Sequence, residues 1–166
     1  MPWSTLASAV VGAVIATVSA ALLDRSRWRR DRHAHLLDVR RVLYSDYLAC
    51  LSQARNDFRI LARNLDLNTT ERDHSARASF APCYGLRYQM SITASPGVAA
   101  VSEDVFRRLR EVRDLAGAGT LAGDERYSGG RAQYEDALTR LRAAMRHDLG
   151  ADSMSDQQDV RRCSPS

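Results

Sequence analysis

His33-Ala34-His35 together with Asp38 is the nearest approach in this chain to a metal-ligand cluster. On an α-helix His35 and Asp38 share a face at i,i+3, while His33 points about 200° away from His35. Helical zinc pairs sit four residues apart, so this spacing reads as a solvated face and no metal is expected. Acid–base work needs two carboxylates converging in a pocket. The candidate pairs are Glu103-Asp104, Asp124-Glu125 and Glu135-Asp136, and each is followed by arginine within a turn or two. Adjacent helical residues point apart, so these carboxylates are expected in ion pairs rather than in catalysis. Cys50, Cys83 and Cys163 form no C-x-x-C pair, and their odd number argues against a disulfide framework. Cys50 falls on an apolar helical stripe, where packing is its expected role. A Cys/His nucleophile would have to join distant segments such as Cys83 and His147. The six tyrosines are expected to bury their rings and keep their hydroxyls at the rim, or else to line a ligand cleft. No G-x-S-x-G, P-loop or G-x-G-x-x-G occurs. No enzyme and no cofactor is expected, and no residue is assigned to catalysis, cofactor binding or metal.

The elements that position these residues begin with a run from Trp3 to Leu23, 21 positions without a charged side chain. As a helix it reaches about 30 Å, the thickness of a bilayer's hydrocarbon core. Arg25, Arg27, Arg29, Arg30 and Arg32 follow within eight positions. Basic residues beside an apolar helix favour the cytoplasmic face. The expected arrangement is therefore a single-pass anchor over 3–23 in a bacterial inner membrane, N-terminus outside and residues 24–166 cytoplasmic. The competing reading is a cleavable signal peptide with Val18-Ser19-Ala20 as its cleavage site, against which stands the lack of a basic segment before the apolar run.

Charge divides along the chain. Residues 24–41 hold seven arginines and three aspartates, whereas 42–166 hold 17 arginines and 17 carboxylates, so the whole net charge of +4 lies in the juxtamembrane segment. That argues against a nucleic-acid module, which spreads basic charge over a binding face. It suits contact with anionic lipid headgroups by Arg25, Arg27, Arg29, Arg30 and Arg32, worth about 1 kcal/mol per basic residue near the surface. All 24 basic residues are arginine, which matches the codon usage of a GC-rich genome; the alternative is bidentate phosphate recognition. Within the anchor, Ser4, Ser8, Gly12, Ala16 and Ala20 make a ridge of small residues spaced by four. Such ridges let two helix backbones approach closely in lipid, and Ser8, Gly12, Ala16 and Ala20 are the expected association face.

Beyond the anchor, Leu36, Val39, Leu43, Tyr47, Cys50, Ala54, Phe58, Leu61 and Leu65 recur at steps of three or four, which predicts one amphipathic helix. Thr70, with Asp73 as capping partner, predicts the start of a second helix reaching Thr93, and Pro82 and Gly85 predict a kink in it. Ser95-Pro96 predicts a third helix, with Val98, Val101, Val105, Leu109, Val112 and Ala116 on its buried face and Gly117 and Gly119 at its end. Residues 117–130 hold five glycines in fourteen positions and read as a loop. A fourth helix is predicted from Arg131 to Leu149. Residues 151–166 carry few apolar side chains and are expected to be a disordered tail. The domains are thus an anchor (3–23), a basic juxtamembrane segment (24–41), a helical bundle (36–150) and the tail. The fold class is all-α, a transmembrane helix running into an antiparallel bundle of about four helices.

Arg41 to Leu48 (RVLYSDYL), Thr93 to Val98 (TASPGV) and Ala143 to Gly150 (AAMRHDLG) carry a resemblance. The chain resembles a group of small bacterial membrane proteins, themselves uncharacterised, that pair an N-terminal anchor and basic segment with a helical domain. The resemblance spans roughly residues 1–150; it implies a fold and a location but no activity. The role expected is a membrane-anchored helical interaction or scaffold protein, binding a protein partner or a second copy of itself. The alternatives are a module that recognises anionic lipid and a small-molecule sensor that uses the bundle core.

Overall fold

The computed structural model describes the backbone of residues 3–150 and the side chains of residues 28, 32 and 34–150. The side chains of the Trp3–Leu23 span, with Ser8, Gly12, Ala16 and Ala20, those of the arginines at 25, 27, 29 and 30, and the whole tail at 151–166 lie outside what is described. Four α-helices make up the described chain: α1 (Trp3–Leu61), α2 (Thr69–Thr93), α3 (Pro96–Gly117) and α4 (Glu125–Asp148). There is no strand among the described residues. Nor is any helix of the described residues long and apolar enough to cross a membrane. The chain divides into two units between Val39 and Arg40.

In the second unit the helices run up and down in turn, and cross-helix pairs fix their register. Arg40 donates from Nε to the Thr93 carbonyl at 2.9 Å, at the end of α2, and lies 3.3 Å from the Asp148 carboxylate at the end of α4. Further along α1, Arg55 pairs with Glu135 at 2.6 Å. Arg87 of α2 meets Glu103 of α3 at 2.9 Å, and Asp104 of α3 meets Arg140 of α4 at 2.8 Å. Second pairs set the direction: Phe58 of α1 meets Phe80 of α2, Arg113 of α3 meets Tyr84 of α2, and Arg108 of α3 meets Gln133 of α4, so sequential helices are antiparallel. The turn between α3 and α4 is tied back to the end of α1 by the Ala122 N–H donating to the Ala62 carbonyl at 2.9 Å.

The core is drawn from all four helices. From α1 it takes Leu43, Tyr47, Ala54, Phe58 and Leu61 of the predicted stripe, with Cys50 half-buried, and adds Tyr44 and Leu51, which the stripe left out. Its ends are different: Leu36, Val39 and Leu65 are exposed. The register explains this, because α2 and α4 both end level with Arg40, and Leu65 lies past the end of α1. On α3 the predicted face is buried at Val98, Val105, Leu109, Val112 and Ala116, with Val101 half-buried. Each large aliphatic or aromatic side chain so buried contributes about 1.5–3 kcal/mol. An aromatic cluster joins three helices: Phe80 stands 6.3 Å from Phe58, 4.8 Å from Phe106 and 5.4 Å from Tyr84, between ring centroids. Arg87 lies over the Phe106 ring and Arg113 over the Phe80 ring, at 4.9 and 5.1 Å, which closes the cluster by cation–π contact.

Helix ends follow local chemistry, in two places differently from expectation. α2 starts at Thr69 rather than after Thr70, because Asn68 and Glu71 complete a reciprocal capping box. α4 starts at Glu125 rather than Arg131: Asp124 accepts from the Arg126 N–H at 2.8 Å, and Gly129 and Gly130 are helical. Packing accounts for Gly130, since a Cβ there would meet Leu115 Cδ1 at 3.1 Å. α2 runs through Pro82 as one helix. Pro82 and Ala78 are both exposed, so the carbonyl that loses its donor faces solvent. α3 ends in a Schellman motif, with Gly119 at φ 85° and the Thr120 N–H donating to the Leu115 carbonyl.

Candidate functional site

Of the carboxylate pairs singled out by sequence, Glu103, Asp104, Asp124 and Glu135 are engaged. Asp104 is met by Arg107 and Arg108 from its own helix and by Arg140 from α4. Hydrogen bonds from Arg107 and Arg140 hold its carboxyl below the usual range, against a smaller opposing effect of burial. Glu103 and Glu135 reach across helices to Arg87 and Arg55, and Asp124 is a helix cap. His35 and Asp38 are exposed, while the His33 side chain lies outside the described residues. Among the described residues no three histidine, cysteine or acidic side chains gather into a metal-binding group.

The tyrosines divide by environment. Tyr44, Tyr47, Tyr127 and Tyr134 are buried, while Tyr84 and Tyr88 are exposed. Tyr134 carries a buried hydroxyl with no hydrogen-bond partner. Burial pushes both Tyr47 and Tyr134 well above the ordinary phenol range. Open recesses mark the surface of the described residues, and two of them are defined by their lining. One, of about 370 Å³, is lined by Arg87, Glu103, Asp104, Phe106 and Arg110 among others. The second, of about 450 Å³, lies along the turn from Ala118 to Arg126. No tyrosine lines either recess.

At the Arg40 end, three helices converge on one carboxylate. Tyr44 Oη donates to Asp148 Oδ2 at 2.7 Å, Arg40 pairs with the same group, and Ser95 adds a hydrogen bond. Ser95 occupies the N-cap position of α3 but makes no side-chain cap bond. Burial alone raises the Asp148 carboxyl; hydrogen bonds from Ser95 and Tyr44 and the charges of Arg40 and His147 outweigh it and leave it below its ordinary range. Burial, then the hydrogen bond and charge of Asp148, push the Tyr44 phenol up to about 12. At the other end Arg72, buried, donates to the carbonyls of Leu61 at 2.7 Å, Leu67 at 3.0 Å and Asn64. It thereby closes the C-terminus of α1, where carbonyls have no intrahelical donor.

Midway along α1 and α2 the structure brings together two residues that sequence spacing kept apart. Cys50 Sγ and Cys83 Sγ are 2.9 Å from each other, as free thiols. Cys83 is fully buried and Cys50 is half-buried. Burial, and then the hydrogen bond and charge of Cys50, push the Cys83 thiol far above its ordinary range. The signal was present in the turn: Cys50 and Cys83 lie sixteen residues on either side of Asp66-Leu67. Antiparallel helices joined at that turn must bring them level.

Large exposed hydrophobic residues among those described are Trp28, Leu36 and Val39 in the first unit, and Val42, Ile60, Leu65, Tyr84, Tyr88, Ile92 and Leu121 in the second. Trp28 is 73% exposed, and Arg32 beside it is exposed too. Set against protein-family models, curated proteins and solved structures, the chain matches none of them.

Proposed function

We propose that this chain is a membrane-anchored helical interaction or scaffold protein of the bacterial cell membrane. It crosses once over 3–23 with its N-terminus outside, and presents the bundle to a protein partner or a second copy on the cytoplasmic side. The observation that carries this reading is the 21-position charge-free run with five arginines directly behind it. Trp28, exposed among those arginines, suits the headgroup level, where tryptophan collects. Arg25, Arg27, Arg29, Arg30 and Arg32 then contact anionic headgroups, and Ser8, Gly12, Ala16 and Ala20 form the face on which two anchors meet. The resemblance to small anchored bacterial proteins supports the same fold and location. The role is one of binding rather than catalysis, and the balanced charge of residues 42–166 supports a partner other than nucleic acid.

A pure lipid-recognition module is the weaker reading, because Arg40 is engaged inside the bundle with Asp148 and Thr93 rather than extending the basic segment. A sensor that uses the bundle core is the third reading.

Carbonate extraction of native membranes tests the anchor: the full chain stays in the pellet and a chain lacking 3–23 is released. An in-membrane dimerisation reporter carrying residues 1–23 tests the association face. Gly12→Leu abolishes its signal while Val11→Leu keeps it, because key contacts in such helix pairs are worth only about 1–2 kcal/mol. Release of the full chain by carbonate rejects the anchor, and equal reporter signals reject the ridge.

A further inference from the structure

Cys50 and Cys83 belong to different helices, yet their sulfur atoms are 2.9 Å apart, less than about 1 Å beyond the length of a disulfide bond. Two features separate this pair from packing cysteines. One thiol is half-buried and the other fully buried, so an external reagent meets Cys50 first. The two sulfur atoms already lie within hydrogen-bond distance of each other across α1 and α2. Cys163 lies outside the described residues and has no part in the pair.

We propose that Cys50 and Cys83 are a reversible dithiol–disulfide pair, oxidised by the disulfide of a small thiol and reduced by an excess of that thiol. In the first step the Cys50 thiolate attacks one sulfur of the small disulfide. A bond forms between Cys50 and that sulfur, the small disulfide's S–S bond breaks, and one thiolate leaves and takes up a proton. In the second step Cys83 attacks the Cys50 sulfur of this mixed disulfide. The Cys50–Cys83 bond forms, the second small thiolate leaves, and it carries away the proton of Cys83. The protein loses two protons and two electrons, and one small disulfide takes them up to become two small thiols. The raised, buried Cys83 thiol does not make the first attack; in the second step its 2.9 Å distance from the Cys50 sulfur offsets the scarcity of its thiolate. The product pins α1 to α2 at mid-bundle.

The test uses the full chain carrying Cys163→Ser, in detergent, incubated in mixtures of reduced and oxidised glutathione. Intact mass and thiol alkylation after unfolding count the remaining thiols. In excess oxidised glutathione the native chain loses two hydrogens and both alkylation sites and stays monomeric in mass; excess reduced glutathione restores both sites. The oxidised form melts higher, by on the order of 10 °C, because the link closes a long loop in the unfolded chain. Cys83→Ser arrests the reaction as a stable glutathione adduct on Cys50, whereas Cys50→Ser leaves Cys83 unmodified. Two alkylation sites persisting in the native chain at every ratio overturn the proposal, as does a link formed only after unfolding or only between chains. The first measurement needs neither cysteine of the pair replaced, so it stays decisive even where a variant misfolds.

Discussion

Arg72 shows how much one side chain does here that hydrophobic pattern does not announce. Its guanidinium serves three backbone carbonyls, of Leu61, Asn64 and Leu67, across the α1–α2 turn. Arg72→Ala leaves the end of α1 without its donor and is expected to cost about 2–3 kcal/mol, read as a lower urea midpoint at unchanged slope. A midpoint unchanged within error means that solvent serves those carbonyls equally well. Asp148 adds a pH dependence. Its carboxyl is depressed in the folded chain, so its stabilisation is present above the ordinary carboxylate value of about 3.9 and is lost as pH falls through the folded value. Asp148→Asn therefore destabilises at neutral pH, and the gap from wild type narrows as the solution is acidified below about pH 4. A gap independent of pH denies the Tyr44–Arg40–Asp148 arrangement its electrostatic role. Neither residue was legible in the sequence, because each acts on groups brought near only by the fold. Asn68-x-x-Glu71 is legible as a capping box, but Asn68 reads equally as turn chemistry beside Thr69-Thr70, which displaces the expected start to Thr70.

At the scale of elements, recurrence of apolar residues at steps of three and four makes four helices legible. Composition misleads at α4, where glycine at 129 and 130 outweighs the Asp124 cap. The two glycines differ in what surrounds them. A Cβ at Gly129 meets nothing within 4 Å, whereas one at Gly130 presses on Leu115. Gly129→Ala should stabilise the protein by about 0.5–1 kcal/mol through helix propensity. Gly130→Leu should destabilise it by forcing α3 and α4 apart. Thermal melts of both variants check this pair, and a destabilising Gly129→Ala means that α4 begins after it. The ends of the α1 stripe failed for a different reason. Periodicity reports that a helix has an apolar face but not where its partners end: within the second unit the ends of α2 and α4 meet Arg40, and Leu36 and Val39 belong to the other unit.

On the scale of the whole molecule, the buried side chains from Leu43 to Met145 form one core, with no member before Arg40 among the described residues. Residues 24–150 alone are accordingly expected to give an α-helical circular dichroism spectrum and a single cooperative melt, and a coil spectrum shows that the bundle needs its anchor or a partner to fold. The proposed anchor rests on length and charge pattern alone, while the thiol pair and the Asp148 arrangement emerged only from the antiparallel register. The central claim is that residues 3–23 cross the membrane once and leave the bundle in the cytoplasm. A paired reporter fused after Ser166, one half active only in the cytoplasm and the other only outside it, tests that claim most directly. Cytoplasmic signal alone, from a chain that keeps its own N-terminus, is the predicted result. Activity outside the cytoplasm, or a mature chain beginning near Ala21, contradicts it.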